Sequence, residues 1–556
     1  MKLIIVGGVA GGATAAARAR RLSEDSEIIL FERGKYVSYA NCGLPYYIGG
    51  EIEQRDALFV TTPEKLERRY RIDVRISQDV IHIDPEKKEI QVRHLETGDV
   101  VVESYDRLIL APGARAVKPT IPGIDNGNIF NLKDVTDTDR IKAFVDTHDV
   151  SDVLIMGGGF IGLETAENMG RLGIRVTMVE MLHQVLPQMD YDMAVHVHQH
   201  LREQKVDLVL GQAVEAFNTQ NGRIRAITDK GLELDADMVI VSAGIKPERE
   251  LAESAGLTIG STGGIHVDSH LTTSDAAIWA VGDVIEVTDF VSGQQTQIPL
   301  AGPANRQGRA AADNALGRPD AVGGLLGTSI VKAFDIVAAA TGMSEKRLKK
   351  AGYAYKASFT HSLNHAGYYP DATMVSIKLL FSPDNGKILG AQAVGGEGVD
   401  KRIDVLAVAI QAGMTVYDLQ ELQLAYSPQF GSAKDPVNIA GYVATNILKG
   451  DVEVLHWHEL ESFAEGEYML LDVRSPEEVS EQGMMPGAKN IDIDQLRHHL
   501  DELDKTRRIV CYCTVSMRAY LACRILTQKG FQASILSGGW MTWLPIQADR
   551  EAQQQG

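Results

Sequence analysis

Cysteine is scarce in this sequence, which contains four in 556 residues: Cys42, Cys511, Cys513 and Cys523. So few cysteines exclude a disulfide-rich extracellular scaffold and favour a reducing compartment. Cys42 stands alone near the N-terminus, whereas the other three lie close together near the C-terminus. If Cys42 is redox-active, it has no second cysteine nearby in the sequence, so its partner must be an external thiol, a persulfide or its own sulfenic acid. A buried structural cysteine is the alternative interpretation.

Long hydrophobic runs and basic runs are also missing. No apolar stretch reaches the ~18 residues that a membrane span requires. The short apolar run at residues 3–6 is followed by glycines and by Arg18, Arg20 and Arg21, which is not typical of a signal peptide, so we predict a cytoplasmic protein. The 74 acidic residues outnumber the 55 basic ones and give a net charge of −19. This balance argues against nucleic acid or an anionic membrane as a partner.

Length and composition predict several globular domains. The sequence has 44% hydrophobic and 23% charged residues, which is ordinary for a folded protein. At about 150 residues per domain, the length indicates three or four domains, each large enough to bury a core.

The N-terminal residues follow the order strand, glycine turn, helix, strand and acid. Residues 3–6 and 27–31 predict buried strands, residues 13–22 predict a helix, and Glu32 ends the second strand. This is the order of a Rossmann site, in which glycines admit a pyrophosphate at a helix N-terminus and the acid binds a ribose. Val9 replaces the second glycine of the strict G-x-G-x-x-G pattern, and a structural glycine turn is the alternative. The predicted cofactor contacts here are Gly7, Gly8, Ala10, Gly11, Gly12, Glu32 and Arg33.

A second glycine motif has the strict spacing, with Gly157, Gly159 and Gly162 after the apolar run 153–156. A helix is predicted from about residue 163 to 172, and the strand 175–179 ends at Glu180. Because a carboxylate accepts from a free 2′-hydroxyl and repels a 2′-phosphate, Glu180 predicts NADH rather than NADPH. The alternative is that Glu180 is only a solvated acid at a strand end.

Three further strands complete a recognisable outline. Residues 108–114 and 238–244 are strands that end in glycine turns, with Ala111, Gly113 and Gly244 as predicted cofactor contacts, and residues 277–283 end in Asp283. This set resembles the flavoprotein disulfide reductases that have two dinucleotide-binding domains. The resemblance implies FAD, with Asp283 at the flavin ribityl chain and the FAD domain split around the NAD domain. A simple β-turn acid is the alternative for Asp283.

The sequence from residue 324 onward contains two further predicted domains. Residues 324–448 correspond to the dimerisation domain of the resembled family, which implies a homodimer. The resemblance also implies that Tyr368 and Tyr426 reach the partner's flavin and handle protons. A role in the core is the alternative for these tyrosines. From residue 455 to 550, the sequence resembles a single rhodanese domain, which implies that Cys513 carries sulfur in a loop closed by Arg518. Cys511 and Cys523 are expected to be structural. No convincing zinc-ligand spacing occurs, so no metal is predicted.

The predicted fold class is therefore α/β, with two Rossmann-like dinucleotide-binding domains for FAD and NAD, an α/β dimerisation domain and a C-terminal rhodanese α/β domain. The predicted FAD domain spans residues 1–118 with 247–323, and the predicted NAD domain spans residues 119–246.

The sequence around Cys42, Asn-Cys-Gly-Leu-Pro-Tyr-Tyr-Ile-Gly-Gly, resembles that of coenzyme A-disulfide reductases. In this family a single cysteine forms a mixed disulfide with coenzyme A, and one branch carries a C-terminal rhodanese domain. The resemblance implies coenzyme A contacts from Thr14, Arg18, Arg21, Ser38, Asn41 and Lys434. A solvated role for the arginines on an exposed helix is the alternative, and one coenzyme-holding lysine of the family is replaced by Tyr70.

The resemblance implies NADH-dependent reduction of a small persulfide, polysulfide or coenzyme A disulfide, through FAD and Cys42, with Cys513 relaying sulfur. Two alternatives stay open at this point. One is an NADH oxidase or peroxidase in which Cys42 cycles through a sulfenic acid. The other is a sulfur-carrier protein whose rhodanese domain donates sulfur to a partner.

Overall fold

The computed structural model describes residues 1–463 and 466–555. The chain divides into two compact units, one of residues 1–181 with 212–327 and one of residues 182–211 with 328–556. Within the described residues, no helix combines the length and the apolar character that crossing a bilayer requires.

A five-stranded parallel sheet forms the centre of the first unit. Its strands, in spatial order, are Ile278–Ala280, Arg107–Leu110, Lys2–Val6, Glu27–Glu32 and Asp73–Ile76. Leu3, Ile4 and Ile5 have no exposed surface, as expected for a parallel strand covered on both faces. The predicted strands at 3–6 and 27–31 are confirmed, and the predicted helix is observed as Gly11–Leu22.

A second parallel arrangement in this unit repeats the pattern. Its strands are Arg175–Glu180, Asp152–Met156, Met238–Val241 and Ile129–Asn131. The helix predicted after the second glycine motif is observed as Phe160–Arg171. Ala114–Ala116, which follows the strand Arg107–Leu110, pairs antiparallel with Ile245–Pro247, which follows the strand Met238–Val241.

The first unit contains further strands and helices outside these two sheets. The other strands are Gln78–Asp84, Glu89–His94, Val100–Ser104, Val214–Gln220, Arg223–Thr228, Glu233–Ala236, Val287–Thr288 and Gln295–Thr296. The other helices are Leu44–Ile48, Pro63–Tyr70, Val135–Thr147, Glu250–Ser254 and Ala301–Ala315, with 3-10 turns at Asn41–Gly43, Arg55–Leu58 and Gly282–Val284.

The second unit contains one antiparallel and one parallel sheet. The antiparallel sheet has the order Ser329–Ala333, Ile336–Gly342, Ile388–Gly395, Met374–Phe381 and Lys356–Leu363. The parallel sheet has the order Val454–Leu455, Ala533–Leu536, Arg508–Tyr512, Tyr468–Asp472 and Lys489–Asn490. In the parallel sheet, the strand Arg508–Tyr512 contains Cys511 and ends immediately before Cys513.

Helices surround these sheets. They are Tyr191–Glu203, Glu345–Ala351, Val399–Gln411, Val416–Glu421, Pro436–Leu448, Trp457–Leu460, Pro476–Gln482, Met517–Gln528 and Gly539–Gln555; Asp207–Leu210 is a strand, and Leu496–His498 and Leu500–Glu502 are 3-10 turns. The C-terminal helix is fixed to the helix Tyr191–Glu203 by buried Asp549. Its carboxylate accepts from the Tyr191 hydroxyl at 2.8 Å and from Arg202 at 2.7 Å.

Candidate functional site

The first glycine turn is closed by backbone contacts that exclude side chains. Gly7 has φ +97°, and a Cβ there would lie 2.1 Å from the carbonyl oxygen of Ala111. A Cβ on Gly12 would lie 1.8 Å from the Gly7 oxygen, so the helix can approach the strand only with glycine at this position. Glu32 fixes the turn, since its two carboxylate oxygens accept from the amides of Gly8 at 2.8 Å and Gly34 at 2.7 Å.

The second glycine turn has the same construction. Gly157 has φ +114°, and a Cβ on Gly162 would lie 2.0 Å from the Gly157 oxygen. Glu180 accepts from the Gly158 amide at 2.7 Å, as Glu32 does in the first turn. A Cβ on Gly159 would meet no protein atom within 4 Å, so this side of the turn is open.

Both turns therefore have the construction of a dinucleotide site, because each places a helix N-terminus beside a glycine turn and a strand-end carboxylate. Gly113, at φ +75°, and Gly244, at φ +96°, leave further open space, since a Cβ on either would meet nothing within 4 Å. Asp283 lies half-buried in the turn that follows the strand Ile278–Ala280, and burial raises its pKa. Arg33 is half-exposed and is paired with Glu248 at 2.8 Å.

Cys42 lies in the short 3-10 turn Asn41–Gly43, in a loop that is hydrogen-bonded to the first glycine turn. The residue Ser38 has φ +48°, and its amide donates to the Gly8 oxygen at 2.8 Å, which ties the cysteine loop to the glycine turn. Cys42 is exposed, whereas the other three cysteines are buried. The structure therefore presents this one thiol to solvent beside the predicted flavin site.

Two carboxyl groups act on Cys42. Partial burial of the sulfur raises the pKa of Cys42, and the charges of Glu164 and Asp283 raise it further. Burial also raises the pKa of Glu164 to about 7, and the Tyr46 hydroxyl lies 3.4 Å from its carboxylate. Glu164 is a site residue that the sequence did not reveal, because nothing local distinguishes it from other acids on the helix Phe160–Arg171.

The residues predicted to hold coenzyme A lie at several places. Arg18 makes a bidentate ion pair with Asp313, with distances of 2.7 and 2.6 Å, and Thr14 donates to Asn305 at 2.5 Å. Arg21 and Asn41 are exposed in the first unit, and Lys434 is exposed in the second. Arg18 thus already has a protein carboxylate as a partner, and its contact with coenzyme A stays a prediction.

The two predicted tyrosines are neighbours in the second unit. The hydroxyls of Tyr368 and Tyr426 lie 3.0 Å apart. Their hydrogen bond raises the pKa of Tyr368. Tyr368 is 76% exposed and Tyr426 is 51% exposed, which excludes the core role for either residue within this chain.

The loop around Cys513 has the strand-to-helix geometry predicted for a thiolate site. Cys513 follows the strand Arg508–Tyr512 and is buried. The helix Met517–Gln528 begins four residues later. Its first backbone amides have no acceptor within the helix, and they lie at the end of the helix that adjoins the loop. From the opposite side, the amide of Trp540 donates to the Cys513 oxygen at 2.9 Å.

Ser516 occupies a position where rhodanese loops commonly have glycine, and its φ of +69° explains that preference. Its hydroxyl donates to the Leu536 oxygen at 3.0 Å and holds the strained residue in place. The serine hydroxyl thus adds a hydrogen bond that a glycine at this position could not make.

Arg518 closes the loop by contacting Glu478 and Thr514. Its Nη1 and Nη2 donate to the Glu478 carboxylate at 2.5 and 2.7 Å, and Nη2 also donates to the Thr514 hydroxyl at 3.2 Å. This ion pair lowers the pKa of Glu478 to about 2. The pKa of Arg518 is raised, first by Glu478 and also by Cys513. Sequence reasoning missed Glu478, for which the only local signal is the helix-start pattern Ser-Pro-Glu-Glu.

The remaining cysteines have structural positions, as predicted. Cys511 lies within the buried strand, and burial raises its pKa well above the ordinary value. The Cys523 thiol donates to the Ala533 oxygen at 3.3 Å. In residues 1–463 and 466–555, no group of three or more His, Cys, Asp or Glu side chains is arranged to hold a metal ion.

Family models match most of the chain. The model of the pyridine nucleotide-disulphide oxidoreductases matches residues 1–308, and that of the dimerisation domain of the same family matches residues 328–435. The model of the rhodanese-like domain matches residues 457–545.

Individual relatives agree with these matches. The coenzyme A disulfide reductase of Staphylococcus haemolyticus is 35% identical over 447 residues, which are 80% of this chain and all of the relative. The crystal structure of reduced Bacillus anthracis CoADR-RHD is 46% identical, with a TM-score of 0.96 over 99% of this chain and 98% of that one. The structure of an NAD-dependent persulfide reductase from A. fulgidus is 38% identical, with a TM-score of 0.92 over 98% and 100%.

These matches confirm the predicted fold class and the predicted resemblance to coenzyme A-disulfide reductases with a fused rhodanese domain. The chain belongs to the pyridine nucleotide-disulphide oxidoreductases, a family of enzymes that use FAD and NAD(H), and it carries the family's dimerisation domain and a C-terminal rhodanese-like domain.

Proposed function

We propose that this protein is an NADH-dependent reductase of coenzyme A disulfide and of persulfide or polysulfide sulfur. One observation carries the proposal: the first unit contains a single cysteine, Cys42, which is exposed and tied through Ser38 to the first glycine turn. A lone thiol beside a flavin must take its second sulfur from a small molecule. The activities named for the Staphylococcus haemolyticus and A. fulgidus relatives support this class of substrate.

The reaction balances with one hydride equivalent. Coenzyme A disulfide, NADH and a proton give two coenzyme A thiols and NAD⁺. A hydropersulfide R–S–SH, NADH and a proton give R–SH, H₂S and NAD⁺. The thiolate of Cys42 attacks one sulfur of the substrate, the S–S bond breaks, and the departing thiolate takes a proton. Two electrons then cleave the mixed disulfide on Cys42, which restores the Cys42 thiolate and releases the second product as a thiolate that takes a proton.

The charges around Cys42 favour the mixed disulfide as the resting form. Burial raises the pKa of the thiol, and the charges of Glu164 and Asp283 raise it further because they repel a thiolate. A disulfide sulfur has no charge and escapes this repulsion. A thiol of raised pKa is also a poor leaving group, so attack of another thiol on the outer sulfur of the adduct, which would expel Cys42, is slowed.

FAD, when bound, accepts hydride from NADH and supplies the electron pair to the disulfide. We assign its binding to residues 1–118 with 247–323, through Gly7, Gly8, Ala10, Gly11, Gly12, Glu32, Arg33, Ala111, Gly113 and Asp283. NADH is assigned to residues 119–246, through Gly157, Gly159, Gly162, Glu180 and Gly244. Coenzyme A is assigned to Thr14, Arg18, Arg21, Ser38, Asn41 and Lys434.

Glu180 is expected to set the preference for NADH. We predict that Glu180→Gln raises the ratio of NADPH to NADH turnover by about 10-fold or more, since ~1.4 kcal/mol of like-charge repulsion against the 2′-phosphate is removed. The glutamine keeps an oxygen that can accept from the Gly158 amide. Steady-state kcat/KM with both coenzymes tests this, and Glu215→Gln, an exposed acid elsewhere in this unit, is the control with the same net charge. An unchanged ratio in Glu180→Gln would leave Glu180 with a structural role only.

We further propose a homodimer in which Tyr368 and Tyr426 handle protons at the partner's flavin site. Support comes from the match to a dimerisation domain and from the exposure of both hydrogen-bonded tyrosines, together with Phe430, which is 71% exposed. Large exposed aromatic surfaces of this kind are typical of surfaces that an assembly covers.

The two tyrosines are expected to act together. We predict that Tyr368→Phe and Tyr426→Phe each lower kcat by about 100-fold, and that the double variant loses little more, because one shared proton pathway is broken in each case. Stopped-flow reduction of bound substrate disulfide measures this, with sedimentation to verify an unchanged dimer. Tyr417→Phe, another exposed tyrosine of this unit, should retain full activity. Additive losses would argue for two independent roles.

The rhodanese-like domain is proposed to relay sulfur from a donor to the reductase through Cys513, with Arg518 near its sulfur. The scarcity of cysteine and the exposed thiol at position 42 support a cytoplasmic location.

The proposed function is tested by the substrate range of the FAD-loaded protein. NADH oxidation followed by stopped-flow absorbance should be fast with coenzyme A disulfide, coenzyme A persulfide and polysulfide, and slow with oxygen or peroxide. Faster turnover with oxygen or peroxide than with every sulfur substrate would instead identify an oxidase or peroxidase.

A further inference from the structure

The one cation in the loop that holds Cys513, Arg518, is paired with a carboxylate. Arg518 is the single charged residue in the loop sequence from Cys513 to Arg518. Its guanidinium donates to both carboxylate oxygens of Glu478, at 2.5 and 2.7 Å. A bidentate pair of this kind is strong and fixed in geometry. The cation of the loop is therefore neutralised before a sulfur donor arrives.

Glu478 is held in this position from two further directions. Its Oε1 accepts from the Thr514 hydroxyl at 3.1 Å, and its Oε2 accepts from the Ser475 amide at 3.1 Å, where it completes the capping box of the helix Pro476–Gln482. The side chains of Arg518 and Glu478 are 35% and 29% exposed, so the pair is only partly screened by water. The carboxylate is thus a fixed negative charge at the loop.

We propose that Glu478 is a specificity-determining residue that selects sulfur donors of low negative charge for Cys513. The donor class is hydropersulfides and other neutral or monoanionic sulfane-sulfur compounds, and dianions such as thiosulfate are disfavoured. The Glu478 carboxylate offsets the attraction of Arg518 for an anion. Since that attraction would be twice as large for a dianion as for a monoanion, the ion pair removes more binding energy from a dianion. This inference rests on the proposed function only in taking Cys513 as the sulfur acceptor.

The transfer steps balance for both donor classes. With a hydropersulfide, the Cys513 thiolate attacks the outer sulfur, the S–S bond breaks, and Cys513–S–SH and R–S⁻ form. With thiosulfate, the same attack forms Cys513–S–S⁻ and releases sulfite, which leaves as a dianion. No net oxidation or reduction accompanies either transfer, so neither needs NADH.

Two donors of similar shape isolate the effect of charge. Thiosulfate is a dianion and methanethiosulfonate is a monoanion, and both present an outer sulfur on a sulfonyl group. We would mix each with the full-length FAD-loaded protein without NADH, quench by alkylation, and measure Cys513 persulfide by peptide mass spectrometry. Wild type is expected to prefer methanethiosulfonate, and Glu478→Gln should shift the rate ratio toward thiosulfate by about 10-fold or more.

The controls separate this effect from others. The glutamine keeps one oxygen that can accept from the Ser475 amide and from Arg518, and its NH₂ group can donate to the Thr514 hydroxyl oxygen. An unchanged thermal unfolding midpoint verifies the fold. Glu477→Gln, the exposed neighbour on the same helix, removes the same net charge away from Arg518 and should leave the ratio within about twofold. Equal changes for both donors in Glu478→Gln, a shift toward methanethiosulfonate, or an equal shift in Glu477→Gln would overturn the inference.

Failure of the proposed function gives a different pattern. If the Cys513 relay does not feed the reductase, NADH-dependent turnover of persulfides is unaffected by Cys513→Ser, while the donor ratio of the rhodanese-like domain still responds to Glu478→Gln.

Discussion

Replacement of Cys42 by serine is expected to lower NADH-dependent turnover of every sulfur substrate by about 1,000-fold or more, which corresponds to ~4 kcal/mol of transition-state stabilisation. Serine has nearly the same size but cannot form the mixed disulfide, so the electron pair has no sulfur to reach. The glycine turns that fit FAD and NADH lie outside the change. Stopped-flow absorbance should therefore record flavin reduction by NADH at the wild-type rate, followed by no sulfur-dependent reoxidation.

Cys523→Ser is the matched control for this variant. The Cys523 thiol donates to the Ala533 oxygen, and a serine hydroxyl can do the same, so full activity is expected. If Cys42→Ser retained turnover of coenzyme A disulfide, the electron pair would reach the substrate without this thiol, and the account of Cys42 would be wrong. Oxygen consumption that survives in Cys42→Ser would report flavin oxidation alone.

Replacement of Cys513 by serine is expected to lower the turnover of some sulfur substrates and not of others. Reduction of coenzyme A disulfide should remain within about twofold of wild type, because Cys42 can attack this substrate directly. Turnover of donors that pass sulfur through the rhodanese-like domain should fall by about 100-fold, because Cys513 is the thiolate that accepts the outer sulfur. Parallel assays of NADH oxidation and hydrosulfide release with each substrate measure the two effects.

The control for Cys513→Ser is again Cys523→Ser, which lies on the adjoining helix and should leave all substrates unaffected. Loss of coenzyme A disulfide reduction in Cys513→Ser would show that Cys513 serves the reductase itself. Unchanged turnover of persulfide and polysulfide would show that the rhodanese-like domain is not on their route.

Local sequence patterns predicted the parts of the fold that depend on local geometry. The glycines at positions 7, 12, 157 and 162 were identifiable because a turn that brings a helix onto a strand leaves no space for a Cβ. Glu32 and Glu180 were identifiable because a carboxylate at the end of the second strand always returns to that turn. These are constraints of a βαβ unit, and they act within a few tens of residues.

Contacts between distant segments were not predictable in the same way. Arg18 was expected to face coenzyme A, but which carboxylate it meets depends on how the helix Ala301–Ala315 places Asp313, which is 295 positions away. Glu478 meets Arg518 only because their two helices begin at neighbouring strands of one sheet. The influence of Glu164 on Cys42 likewise arises from three-dimensional packing, and no spacing in the sequence reveals it.

The role of Cys42 is tested most directly by the intact mass of the oxidised, FAD-loaded protein after incubation with coenzyme A disulfide. We expect a mass increase of one coenzyme A minus two hydrogens per chain, located on the peptide that contains Cys42, absent in Cys42→Ser and lost after one equivalent of NADH. An unmodified Cys42, or an adduct found instead on Cys513, would contradict it.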